Sequence, residues 1–129
     1  MKSVKIELII ERSESGELSG RVTYNNNLIV DMADNVKQLE SQMKGLLNDF
    51  EGVDPESIEF VYLYDVFALF EKFNFLNISK VGEYAGINAG LLRQYASGVK
   101  HPSAAQAKRI EHTIHELAEQ MNKALVYAE

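Results

Sequence analysis

Cysteine is absent from the 129 residues, so neither a disulfide nor a thiolate metal site can form. That suits a reducing compartment, and the expectation is a cytoplasmic protein. No apolar run is long enough to cross a bilayer. The longest, Ile58 to Phe70, is broken by Glu59 and Asp65. The opening MKSVKIELII passes at once into ERSESGE, too short an apolar stretch for a signal core, so no membrane partner is expected. There is no glycine-rich phosphate loop, no cysteine nucleophile and no Ser/His pair at interpretable spacing. Nothing marks a catalytic centre. The expectation is a non-enzyme that needs no cofactor.

Positive charge is also scarce: 13 Lys/Arg stand against 19 Asp/Glu, a formal charge of −6. Such a chain does not bind nucleic acid indiscriminately. The scarcity is uneven. Residues 1–64 carry six basic and twelve acidic side chains, 6 − 12 = −6, whereas residues 65–129 carry seven of each. Within residues 78–112, Lys80, Arg93, Lys100, Lys108 and Arg109 face only Glu83 and Glu111. An acidic half and a local basic island imply two modules with different partners.

Periodicity divides the chain in the same way. VKIELII, GRVTY and LIVDM read as three strands, with SESGELSG and NNN as turns. Val36, Leu39, Met43, Leu46, Leu47 and Phe50 then recur at helical spacing, with Asp34 as N-cap and Gly52 beyond the C-terminus. DPES makes a turn, and IEFVYLY is a fourth strand. The expected first domain, residues 1–64, is β-β-β-α-β. Residues 65–129 read as all helix: a segment capped by Asp65, a short helix ending at Gly86, another ending at Gly98, and a long one opened by Pro102-Ser103. Ile110, Ile114, Leu117, Met121 and Leu125 form the last helix's apolar stripe.

The segment KVGEYAGINAGLLRQYASG carries the sharpest signal. Gly86 can reverse the chain with a positive φ, Ile87 plugs the corner, and Asn88 can cap a second helix. Leu92 and Tyr95 then face inward, while Asn88, Ala89, Arg93 and Gln94 face outward. This arrangement resembles the Cro/CI-type (lambda-repressor-like, XRE) helix-turn-helix, with Gly82 where that family usually has alanine. The resemblance implies a double-stranded DNA operator as partner and a homodimer or higher oligomer. Arg93 and Gln94 would read bases, with Asn88 and Ala89 at the helix start. Lys80, Ser97, Lys100, His101 and Ser103 would hold the phosphate backbone.

The order of elements over nearly the whole chain, and INAGLLRQYASGVKHPSAAQAKRIEHTIHEL in particular, also resemble HicB-type antitoxins. That resemblance implies an α+β N-terminal domain like a partial RNase H fold, and a HicA-type RNA-cleaving toxin as its partner. The N-terminal half departs from the family pattern, because NLIVDMADNVKQLE lacks the common lead into the helix.

Blander readings compete for other residues. Phe67, Phe70 and Phe73 have core spacing rather than that of a base-stacking platform. His112 and His115 could share a metal, but no third ligand cluster accompanies them, so pairing with Glu116 and Glu119 is expected and no metal site. Glu7, Glu11, Asp31 and Asp34 raise a metal-dependent nuclease as an alternative, although no spacing demands that they converge. A further alternative is a protein-interaction module, or a repressor with no toxin partner.

Overall fold

The computed structural model describes residues 2–128. Its first strands are β1 (Val4–Arg12), β2 (Leu18–Tyr24) and β3 (Asn27–Ala33). Helix α1 (Val36–Glu51) and a 3-10 turn (Pro55–Ser57) lead into β4 (Ile58–Tyr64). Four helices follow: α2 (Val66–Lys72), α3 (Ile78–Ala85), α4 (Ala89–Ser97) and α5 (Ala104–Lys123). The architecture is α+β, a four-stranded mixed sheet followed by helices.

The sheet order is β3-β2-β1-β4. β1–β2 and β2–β3 are antiparallel, and β4 runs parallel to β1. Asn25 and Asn26 both hold positive φ, 49° and 65°, which a two-residue hairpin between right-twisted strands requires. Alternation puts Ile6, Leu8, Ile10, Leu18, Val22 and Ile29 on one face, beneath Leu39, Met43 and Leu47 of α1. Gly20 lies directly under Leu39, where a Cβ would stand 2.8 Å from a leucine methyl. Leu28, Val30, Met32, Val61 and Leu63 are exposed. They alternate with the core positions, on the face away from α1.

Several expectations shift by a residue or more. The N-cap of α1 is Asn35 rather than Asp34; its side chain accepts the Gln38 amide at 2.8 Å. Gly52 takes the left-handed conformation beyond α1, as expected. Phe50 is exposed, because it lies beside the edge strand β3, near Leu28 and Val30, rather than over the middle of the sheet. Asp65 does cap α2, accepting the Ala68 amide at 2.7 Å. The same residue also ties α2 to β1: its amide donates to the Ile10 carbonyl, and its carboxylate accepts the Arg12 amide. Ala68 is wholly buried in the first unit's core, and the Arg12 guanidinium sits 5.9 Å from the Phe67 ring. Consequently the first compact unit extends to Phe73 and the second begins at Asn74, whereas the sequence suggested a join at residues 64–65.

In the second unit α5 ends at Lys123, short of the length read from the sequence. Ile110 is buried and Ile114 and Leu117 are half-buried, but Met121 and Leu125 are exposed. Met121 borders an open groove beside α3 and the residues before it, and Leu125 lies beyond the end of α5.

Candidate nucleic-acid interface

The second unit is organised around the turn from α3 to α4. Gly86 sits at φ 70°, ψ 32°, and its N–H donates back to the α3 carbonyls. The Ile87 amide donates to the Gly82 carbonyl at 2.9 Å, closing the turn. A side chain with a Cβ is strained at such a φ, which is why glycine stands there. Asn88 then caps α4, its Oδ1 accepting the Gly90 and Leu91 amides at 2.9 and 3.2 Å. Ile87, Leu92 and Tyr95 are buried together with Val81 and Ala85 of α3.

Gly82 explains why the two helices approach so closely. A Cβ built there would lie 2.9 Å from the Ile87 carbonyl oxygen and 3.6 Å from both Ala89 Cα and a Leu92 methyl. The glycine does more than relax a usual alanine. In this backbone it occupies a position where the turn itself fills the space a methyl would need.

The outward edge of α4 carries Arg93, Gln94 and Ser97, all exposed. Asn88 is exposed at the cap, but Ala89 is half-buried against Gly82 and offers little surface. Arg93 Nη2 donates to Ser79 Oγ on α3 at 2.8 Å. Ser79 thus positions the guanidinium. Sequence reasoning missed it because the contact joins residues on different helices, 14 positions apart. Ser97 Oγ donates to the Gln94 carbonyl, which also receives the Lys100 amide at 3.2 Å. Gly98, at φ 82°, stops the helix.

Lys100, His101 and Ser103 are exposed in the connection to α5. Ser103 Oγ accepts the Gln106 amide at 3.2 Å and so caps α5. The free amides and dipole of that first turn favour an anion. Lys80 is exposed on α3 and pairs with Glu83 at 3.5 Å. A surface pair of this kind is weak enough for a phosphate to displace.

The other candidate chemistries find less support. His112 pairs with Glu116 at 3.0 Å, whereas Glu119 pairs with Lys123 at 3.4 Å. No cluster of three or more metal-ligating side chains occurs among the described residues. Glu11 is held by Arg21 at 2.9 Å. Asp31 accepts from Gln42 of α1 at 2.8 Å. Alternation along β1 turns Glu7 and Glu11 to the face opposite Asp31, so these carboxylates do not share a site. Phe70 is buried and Phe67 packs against the first unit's core, as helical spacing suggested.

Tyr62 and Tyr64 stack on the α1 side of β4, ring centroids 5.9 Å apart. Burial, then the neighbouring Tyr62 and Glu40, push the Tyr64 hydroxyl up to about 12. Burial and Glu40 raise that of Tyr62 as well. No helix among the described residues is long and apolar enough to cross a membrane. No protein-family model, curated protein or solved structure matches the chain.

Proposed function

We propose that this protein is a sequence-specific DNA-binding regulator, a homodimer in the cytoplasm that reads a double-stranded operator through a Cro/CI-type helix-turn-helix. The observation that carries the reading is the edge of α4. Arg93 and Gln94 lie exposed on a helix capped by Asn88 and locked to α3 across the Gly86 turn. Arg forks onto guanine O6 and N7, and Gln onto adenine N6 and N7, each discriminating by about 1–3 kcal/mol. Lys80, Lys100, His101 and the amides at the α5 start supply phosphate contacts, which position without specifying. One short helix reads few base pairs. Two-fold symmetry doubles the site at half-sites about one helical turn apart.

The β-β-β-α-β order of the first unit supports reading it as a partial RNase H-like domain, and we assign it the HicB-type role of holding a small basic RNA-cleaving toxin. Its acidic balance favours a basic partner. Its exposed Leu28, Val30, Met32, Val61 and Leu63 supply apolar surface for one. In this reading the chain binds and does not catalyse, and the opposed faces of Glu7 and Asp31 favour that over the nuclease alternative.

Fluorescence anisotropy with the DNA upstream of the protein's own coding region tests the regulator reading. Affinity should fall steeply with salt, because each neutralised phosphate releases counterions. Binding that is indifferent to salt would reject it. Co-purification with the small basic protein encoded beside it tests the antitoxin role. Absence of a complex would leave a plain repressor.

A further inference from the structure

The second unit has apolar surface that its own fold leaves uncovered. Between α3, α5 and the residues preceding α3 lies a groove of about 290 Å³, lined chiefly by Phe75, Leu76, Val81, Tyr84, Leu117 and Met121. Among the described residues its one charge, Lys80, is already paired with Glu83. Beyond α5 the chain leaves the helix at Ala124 in an extended conformation. It then presents Leu125, Val126 and Tyr127 at 94%, 99% and 81% exposure. An apolar groove and an apolar segment therefore lie on the same unit, and the segment does not fill the groove of its own chain.

We infer that the two are halves of one reciprocal interface: Leu125–Tyr127 of one protomer seats in the groove of a second copy, and the second copy returns the contact. This deepens the homodimer reading above, and rests on it for its purpose though not for its geometry. Three features select a second copy as occupant. The segment matches the groove in chemistry, six of its nine lining residues being apolar or aromatic, and the Lys80 side chain stays exposed and so remains available to a phosphate. Each copy carries one groove and one segment, so a two-fold axis satisfies both and closes the assembly. The area also suffices. Phe75, Tyr84 and Tyr127 are 72%, 65% and 81% exposed. At about 200 Å² per aromatic ring side chain, these three alone offer on the order of 400 Å², half of the roughly 800 Å² per partner of a standard interface. Leu125, Val126 and Met121 add the remainder. No lining residue belongs to α4, so the interface leaves the Arg93–Gln94 edge free.

Light scattering on the full chain without DNA, over a range of concentrations, tests the interface. The wild type should show twice the mass of one chain. Leu125→Asp with Tyr127→Asp should show a single-chain mass, and so should Met121→Glu. Circular dichroism should be unchanged in both, because the altered side chains are exposed. Mixing the two variants should restore a dimer, since one intact segment then meets one intact groove. A monomeric wild type, or dimers that survive both sets of changes, would overturn the proposal. Affinity for a single half-site, measured separately, distinguishes the two failures. Loss of half-site binding by a dimeric wild type sinks the operator reading and leaves this interface standing.

Discussion

Replacing Gly82 by alanine sets two effects of opposite sign against each other. In a helix interior alanine is favoured over glycine by up to about 1 kcal/mol. Here, however, the new methyl would stand 2.9 Å from the Ile87 carbonyl oxygen. That oxygen is backbone, in the residue whose amide donates to the Gly82 carbonyl, so it cannot retreat without opening the turn. Ala89 Cα and a Leu92 methyl, at 3.6 Å, are in ordinary contact distance, so the clash falls on that one oxygen. Overpacking of this kind costs about 1–3 kcal/mol. The clash therefore outweighs the propensity gain, with a net loss of about 1 kcal/mol. For a domain of this size that lowers the melting temperature by roughly 4–8 °C. Gly45 provides the control within the same chain. It lies in α1 with nothing within 4 Å of a built Cβ, so Gly45→Ala should stabilise by up to about 1 kcal/mol. Thermal melts followed by helical circular dichroism compare the two. If Gly82→Ala raises the melting temperature as Gly45→Ala does, α3 and α4 do not cross as closely as described.

Two other perturbations probe the same account. Asn88→Ala removes the side chain that accepts the Gly90 and Leu91 amides, and should cost about 1 kcal/mol in a urea melt while weakening DNA binding. Tyr64 should titrate near 12 by ultraviolet difference absorbance, above its ordinary value of 10. Because the folded-state value is raised, the stability it contributes is intact below pH 10 and is lost as pH rises through about 12. A Tyr64 that ionises with the exposed tyrosines would show that β4 is not packed as described.

The parts legible in the sequence are those governed by local backbone chemistry. Gly86, Asn88, Gly98 and Ser103 each mark a terminus through their own dihedrals or side-chain acceptors, and each stands where the residue type requires. The Asn25–Asn26 hairpin is of the same kind. The parts that escaped depend on what lies opposite. Phe50 and Met121 keep helical spacing with buried neighbours, yet Phe50 lies beside the edge strand β3 and Met121 borders an open groove beside α3. Asp65 reads correctly as a cap, but its bonds to Ile10 and Arg12, which draw α2 into the first unit, have no signature along the chain. The Ser79–Arg93 bond is likewise tertiary. Gly82 is intermediate: its small size was evident, and the carbonyl that demands it was not.

The decisive measurement compares the wild type with Arg93→Ala plus Gln94→Ala on operator DNA and on scrambled DNA of equal length, by anisotropy at fixed salt. Loss of both base contacts should remove about 2–6 kcal/mol of discrimination, at least a thirtyfold fall in operator affinity. Binding to scrambled DNA, held by phosphates alone, should barely change. Equal operator affinity in the double variant would contradict the assignment of α4 as the reading helix.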